Sequence, residues 1–122
     1  MFSKKKKVKW FKLFSSLKEA EAAVVLDSAI KVMVDIDELC LVRTRRGFYA
    51  IKNQCPHQAF PLHNGVCTEE DEIICPYHRY KFDLKTGNSH SENCSGRLQK
   101  YAMKINEKGL FIGLEKEVWS LF

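Results

Sequence analysis

Short runs of alternating apolar and polar residues recur along the chain and predict β-strands. Residues 8–14 are rich in aromatic and β-branched side chains, which strands favour. A strand there would place Trp10 and Phe14 on one face and Phe11 and Leu13 on the other. The same patterns predict further strands at residues 30–36, 38–45, 48–53, 73–74, 82–84, 98–106 and 109–114.

Turn residues and one helix-compatible segment separate these strands. The sequence Arg45-Arg46-Gly47 predicts a hairpin between residues 38–45 and 48–53, and a second hairpin closes around residues 106–109. Residues 15–23 permit a short helix, with Ser15 or Ser16 as its cap and Glu19 in its first turn, or a loop. With 122 residues, the chain is expected to form one domain.

Two pairs of metal-binding side chains follow the first predicted hairpin. Cys55 and His57 are separated by one residue, Cys75 and His78 by two, and 17 residues lie between the pairs. Thiolate and imidazole are common ligands of both zinc and iron. A single Zn²⁺ held by all four side chains is therefore one interpretation.

The mixed composition of each pair favours a second interpretation. Zinc fingers usually pair Cys with Cys and His with His. A two-iron cluster with two Cys on one iron and two His on the other requires one ligand of each kind from each of two loops. Spacing alone favours the cluster and leaves zinc open.

The residues around the two pairs resemble the Rieske [2Fe–2S] domain in its small soluble ferredoxin form. The matching positions are Cys55, Pro56, His57, Pro61, Leu62, Gly65, Cys75, Pro76, His78, Phe82, Asp83, Leu84, Thr86 and Gly87. The resemblance implies an all-β antiparallel sandwich with a smaller cluster-binding subdomain formed by two ligand loops. It also implies one [2Fe–2S] cluster per chain, with Cys55, His57, Cys75 and His78 as its ligands.

The resemblance further divides the chain into parts. Residues 8–52 and 85–114 are expected to form the β base, and residues 53–84 the cluster-binding subdomain. Residues 1–7 are expected to be a basic flexible tail, and residues 115–122 an apolar C-terminal extension that packs onto the domain or onto a second copy.

Departures from the family pattern bear on the redox potential. High-potential Rieske proteins carry an additional pair of disulfide-linked cysteines at the positions of Phe60 and Tyr77. They also place Gly-Ser where this chain has Arg79 and Tyr80. Without the serine hydroxyl, we expect a potential in the lower part of the Rieske range of about −150 to +300 mV, unless the hydroxyl of Tyr77 or Tyr80 takes its place. Residues 88–96 contain no proline, although the relatives usually have a proline-bearing loop that shields the cluster.

Charge and cysteine content restrict the remaining functions. The five lysines at positions 4–7 and 9 account for the net charge of +5, so the rest of the chain has equal numbers of acidic and basic residues. A nucleic-acid role is therefore not expected. No signal peptide and no membrane span are apparent. Cys40 is predicted in the core, and Cys67 and Cys94 in loops without a mutual disulfide, which indicates a reducing cytoplasm.

Three other polar features are interpreted as exposed and without a ligand role. The acidic run at residues 69–72 predicts a solvated turn before the strand at 73–74. His63 and His90 are expected to be exposed polar residues rather than metal ligands.

The sequence therefore predicts an electron-transfer protein rather than an enzyme. The resemblance is to ferredoxins that pass single electrons from a flavin reductase to a terminal oxygenase, and it implies a monomer or weak homo-oligomer. Two alternatives remain: the small Rieske subunit of an assimilatory nitrite reductase, and a zinc-stabilised interaction module.

Overall fold

The strands form two antiparallel β-sheets, in agreement with the predicted all-β class. The computed structural model describes residues 2–57, 59–91 and 96–121, without the side chains of residues 2 and 118–121. One sheet has six strands in the order β1-β9-β8-β4-β3-β2, and the other has three in the order β5-β6-β7. Their bounds are β1 Phe2–Phe14, β2 Ser28–Val34, β3 Asp37–Thr44, β4 Gly47–Lys52, β5 Val66–Cys67, β6 Glu72–Ile74, β7 Lys81–Asp83, β8 Lys100–Asn106 and β9 Gly109–Leu121.

Two short helices connect strands. The α-helix α1 spans Leu17–Ala23, and Ser16 caps it, since the Ser16 hydroxyl accepts a hydrogen bond of 3.0 Å from the Glu19 N–H. This confirms the helical interpretation of the segment. A 3-10 helix spans Leu62–Asn64. Among the residues that the structure describes, no helix is long and apolar enough to cross a membrane.

Strand β3 is buried on both faces because it lies between two hydrophobic cores. Successive strand residues point to opposite faces. Leu39 and Leu41 belong to the base core, which comprises Ala20, Val24, Val34, Leu39, Leu41, Ala50, Leu110, Ile112 and Leu114. Cys40 and Val42 belong to the site core, which comprises Cys40, Val42, Ile51, Cys55, Leu62, Ile73, Cys75, Phe82, Leu84 and Leu98. The prediction that Cys40 is a core residue is confirmed.

The hairpins of the six-stranded sheet follow the sequence pattern with one difference. Strands β3 and β4 pair from Leu39 opposite Lys52 to Thr44 opposite Gly47, as the turn sequence predicted. Ile36 was expected to continue β2. It lies instead in the turn between Val34 and Asp37, where it is 82% exposed.

Strand β1 begins earlier than the sequence predicts. Residues 1–7 were expected to be a flexible tail, but β1 starts at Phe2 and pairs with β9 as far as Leu121. The long β9 supplies the missing backbone partner, and Lys4 Nζ lies 2.8 Å from a carboxylate oxygen of Glu117. Lysine is depleted in strands, which explains why the pattern did not indicate this pairing.

A β-bulge near the end of β1 changes which side chains face the core. The register shifts between Lys12 and Phe14. A bulge adds one residue to its strand, so the side chains beyond it change faces. Phe14 consequently packs against the base core together with Phe11 and Leu13, and its predicted placement on the same face as Trp10 is wrong.

We expect Phe82→Ala to lower the free energy of unfolding by about 3–5 kcal/mol, because it leaves a cavity in the site core. Phe82 is fully buried and comes from β7, at the edge of the smaller sheet. Urea denaturation measures the loss. The control Val66→Ala removes a 62% exposed side chain from the same sheet and should change stability by less than about 0.5 kcal/mol. A loss below about 1 kcal/mol for Phe82→Ala would contradict this prediction.

Candidate metal centre

The two predicted ligand pairs lie in two loops with the same closure. The first loop follows β4, and the Cys55 N–H donates to the carbonyl oxygen of Phe60 at 2.7 Å. The second follows β6, and the Cys75 N–H donates to the carbonyl oxygen of Tyr80 at 2.9 Å. Each loop therefore begins at a cysteine shortly after a strand and returns five residues later at an aromatic residue.

The cysteines lie inside the protein and the histidines outside. Cys55 and Cys75 are 1% and 0% exposed and both belong to the site core. His57 and His78 are exposed, and their ring centroids lie 6.0 Å apart. The structure thus brings the two thiols into one core and the two imidazoles to one surface.

This arrangement fits a two-iron cluster. Two thiolates bind one iron and two imidazoles bind the other in a Rieske centre, so each iron needs only a pair of protein ligands. Among the described residues, no three His, Cys, Asp or Glu side chains converge closely enough to hold one metal ion. Buried sulfur donors and exposed nitrogen donors match the asymmetric ligand set.

Both loops contain backbone conformations that non-glycine residues rarely adopt. Ala59 has φ 57°, and at the equivalent place in the second loop Arg79 has φ 58°. His78 precedes it with φ 64°. An L-residue in the left-handed region of backbone conformation is destabilised by about 1–2 kcal/mol relative to the right-handed one. For Arg79 the family pattern gives a signal, since high-potential Rieske proteins place glycine there, whereas nothing in the sequence marks Ala59 or His78.

Hydrogen bonds from a buried amide support the first loop. The Asn53 side chain accepts from the His63 backbone N–H at 2.8 Å, and its Nδ2 donates to His63 Nδ1 at 2.8 Å and to Glu38 Oε2 at 3.0 Å. These bonds connect both ends of the loop region to β3. His63 is therefore half-buried and structural, and its prediction as a merely exposed residue is wrong.

A close backbone approach joins the two loops at their bases. A Cβ at Gly65 would lie 2.4 Å from the carbonyl oxygen of Ile74, so only glycine fits. Ile74 immediately precedes Cys75, and β5 pairs with β6 through Val66 and Ile74. The exit of the first loop therefore crosses the entry of the second.

Aromatic rings surround the two histidines. Tyr77 lies 4.1 Å from His78 between ring centroids, and Tyr80 meets the His57 ring edge-on at 4.5 Å. Phe60 stacks on Tyr77 at 5.4 Å, with 8° between the ring planes. These ring contacts were not apparent from the sequence.

The acidic run between the loops is only partly exposed. Glu69 and Glu70 are exposed as predicted, whereas Asp71 and Glu72 are buried, and the solvated-turn interpretation is wrong for both. The Tyr49 hydroxyl donates to Asp71 at 2.6 Å, and Arg46 Nη1 lies 3.3 Å from the same carboxylate. A buried carboxylate needs such partners, and these were not apparent from the sequence.

Glu72 forms a second polar group with His90 and Asp83. His90 Nδ1 donates to Glu72 at 2.6 Å, and His90 Nε2 lies 3.5 Å from an Asp83 oxygen. Burial alone would raise the pKa of Glu72, but hydrogen bonds from His90 and Thr68 hold that pKa below its usual range. His90 is exposed as predicted, but it also connects β6 to β7.

The other described cysteines are poorly suited to metal binding. Burial, reinforced by Cys67, raises the pKa of Cys40 to about 12, and burial raises that of Cys67 to about 11. Thiols with such pKa values stay protonated at neutral pH, and the metal ligand is the thiolate. Cys67 forms no disulfide. Cys94 lies outside the described residues.

The predicted shielding segment is only partly described. Residues 92–95 lie outside the described part of the chain. Gly96 follows them and contacts the first loop so closely that a Cβ there would lie 2.6 Å from Pro56 Cβ. Glycine at this position therefore permits the chain to pass against the first loop.

We expect Arg79→Gly to raise the free energy of unfolding by about 0.5–1 kcal/mol. Glycine removes the left-handed strain of about 1–2 kcal/mol, and the greater freedom of the unfolded chain offsets part of this gain. Thermal denaturation measures the change. Glu70→Gly is the control, because Glu70 is exposed and outside the positive-φ positions, and it should be destabilising. Destabilisation by both variants would contradict the strain at Arg79.

We expect Glu72→Gln to lower stability by about 1–3 kcal/mol at pH 7, because hydrogen bonds to a carboxylate are stronger than those to an amide. The pKa of Glu72 is depressed in the folded state, so its contribution is present above the usual value near 4.3 and is lost as the pH falls through the folded pKa.

Urea denaturation at pH 7 and at decreasing pH below 4.3 checks this prediction. The difference between wild type and Glu72→Gln should shrink on acidification. Glu70→Gln removes an exposed neighbouring charge and should show little difference at any pH. An unchanged stability difference between wild type and Glu72→Gln across this pH range would contradict the depressed pKa of Glu72.

Comparisons with known proteins agree with this geometry. The family model of the Rieske [2Fe–2S] domain matches residues 15–102. The ferredoxin component of the naphthalene 1,2-dioxygenase system of Pseudomonas aeruginosa is 32% identical over 83 residues, covering 68% of this chain and 79% of that protein. The solved ferredoxin of carbazole 1,9a-dioxygenase from Nocardioides aromaticivorans IC177 is 27% identical with a TM-score of 0.72, covering 85% of this chain and 96% of that one.

The same kind of segment also occurs within a much longer protein. Apoptosis-inducing factor 3 of Homo sapiens is 27% identical over 84 residues, which cover 69% of this chain. The chain spans only 14% of the length of that relative. The matched residues include both Cys/His loops, strands β2–β4 and the whole three-stranded sheet, and the chain therefore belongs to the Rieske [2Fe–2S] domain family, whose cofactor is a [2Fe–2S] cluster.

Proposed function

We propose that this chain is a one-electron carrier and that Cys55, His57, Cys75 and His78 hold its [2Fe–2S] cluster. The observation that carries the proposal is the placement of the two thiols in the site core and of the two imidazoles at the surface. When bound, the cluster accepts and releases single electrons. The protein's contribution is to exclude water on the sulfur side and to leave the imidazole side accessible.

Each ligand has a distinct task in this proposal. Cys55 and Cys75 anchor the inner side, where the site core provides a low-dielectric environment. His57 and His78 form the outer side, and their exposed rings give a short path for an electron to a docked protein. The ligand loops turn tightly, so backbone N–H groups can stabilise added negative charge at the cluster.

We also propose that the fold consists of two parts with different roles. Residues 53–84 would form the cluster-binding subdomain on a base of residues 8–52 and 85–114. The support is that β3, β4 and the base core hold one end of the first loop, while β6 and β7 hold both ends of the second. A rigid frame on both sides limits movement on reduction, which keeps the cost of electron transfer low.

The partners in this proposal are a flavin reductase and a terminal oxygenase. The support is the similarity to ferredoxin components of dioxygenase systems. The chain would act as a component of such a system, not as an enzyme, and we place it in the cytoplasm. A nitrite reductase small subunit is the alternative, which the presence of all four ligands disfavours because many of those subunits lack them. The genes that adjoin this one distinguish the two assignments.

Ligand substitutions test the proposal directly. We expect His57→Cys or His78→Cys to retain a cluster whose potential falls toward the value of about −400 mV typical of all-cysteine ferredoxins. We expect Cys55→Ser and Cys75→Ser to lose iron and sulfide. Spectroelectrochemical titration measures the potentials, and metal and acid-labile sulfide analysis measures occupancy.

The control is His90→Gln, which changes a histidine outside the two loops and should leave the potential unchanged. An unaltered potential in the His57 and His78 variants would refute the ligand assignment. One zinc per wild-type chain, in place of two irons and two sulfides, would support the zinc module instead.

A further inference from the structure

The two ligand loops contact each other through a pair of exposed aromatic rings. Phe60 comes from the first loop and Tyr77 from the second, and their rings are nearly parallel, 8° apart in orientation with centroids 5.4 Å apart. Phe60 is 37% exposed and Tyr77 is 42% exposed. The stack is therefore at the rim of the site rather than in either core.

Each of these rings is tied closely to ligand positions. The Phe60 carbonyl closes the first loop by accepting from the Cys55 N–H at 2.7 Å. Tyr77 lies between Cys75 and His78 in the chain, and its ring also contacts the His78 ring at 4.1 Å. The stack therefore joins a residue bonded to Cys55 in the first loop to a residue in contact with His78 in the second.

Tyr80 of the second loop also meets the His57 ring of the first, and the remaining ties among the described residues lie at the loop bases. Gly65 crosses Ile74, and β5 and β6 contribute only the pairs Val66–Ile74 and Cys67–Ile73. The left-handed residues Ala59 and Arg79 lie beyond this pairing, in the parts of the loops that carry the histidines. A contact between the two loops outside the β5–β6 pairing limits how far these strained segments can separate.

We propose that Phe60 and Tyr77 form an aromatic clamp that holds the two ligand loops at the separation the cluster requires. Both are positioning residues, since they act through the loops and through His78. The proposal rests on the proposed function, because it assumes that the two loops share one cluster. Aromatic pairs contribute beyond their buried area, which gives the clamp a measurable effect.

A double-mutant cycle on the cluster-loaded protein tests the clamp. Wild type, Phe60→Ala, Tyr77→Ala and the double variant are exposed to excess iron chelator without oxygen, and the decay of visible absorbance gives the rate of cluster loss. We expect each single variant to lose its cluster about 2- to 13-fold faster, which corresponds to the 0.5–1.5 kcal/mol of an aromatic pair. We expect the double variant to be no more than about twofold faster than the faster single variant, because the first substitution already breaks the stack.

Conservative variants separate ring stacking from general stability. Tyr77→Phe keeps the ring and should retain the wild-type rate, whereas Phe60→Leu keeps apolar bulk without a ring and should resemble Phe60→Ala. Trp10→Ala removes a 40% exposed ring on β1, at the edge of the larger sheet, and should leave the rate unchanged. The reduced cluster should give broader EPR lines in the alanine variants than in wild type and Tyr77→Phe.

The outcomes distinguish the clamp from the proposed function. A wild-type protein that holds no [2Fe–2S] cluster contradicts the proposed function. If the wild type holds the cluster and the effects of the two single substitutions multiply in the double variant, the clamp is overturned. The proposed function is not affected by that result. A wild-type rate for Phe60→Leu overturns it as well, because apolar cover would then suffice.

Discussion

The structure depends on one constraint: two short loops must present thiols inward and imidazoles outward from a frame that does not move. Strand β3 supplies much of that frame, because its residues from Leu39 to Val42 are fully buried and contact both cores in alternation. The site core is thereby fixed to the base core through one strand. Cys55 and Cys75 lie in the site core, so the positions of both thiols follow from the packing of the sheet.

Buried charge reinforces the smaller sheet. Asp71 and Glu72 are buried, and a buried carboxylate destabilises a fold unless it is paired. Asp71 pairs with Tyr49 and Arg46 of the larger sheet and its hairpin turn, and Glu72 pairs with His90. The first pairing joins the two sheets. The acidic turn that precedes the second ligand loop therefore has a structural role in orienting it.

Strand positions could be predicted from the sequence because alternation reports burial directly. The Cys/His pairs were recognisable because their residue types and spacing are specific to metal chemistry. The predicted face of Phe14 is wrong because a bulge leaves no mark in a short sequence pattern. The predicted start of β1 is too late because the strand that pairs with it lies about a hundred residues away. The burial of Asp71 and the half-burial of His63 depend on partners distant in sequence, which no local pattern contains.

The same limit applies to Phe60 and Tyr77. The sequence shows that these positions cannot form a disulfide, but only the structure shows that their rings stack across the loops. A stack and a disulfide differ physically, since the stack tolerates small changes of separation and the covalent bond does not. If the loops hold a cluster as proposed, a stack of Phe60 on Tyr77 fixes their separation less strictly than a disulfide would, and Gly65 and the β5–β6 pairs add a second connection at their bases. The proposed electron transfer would then rely on the sheets and the loop bases for rigidity.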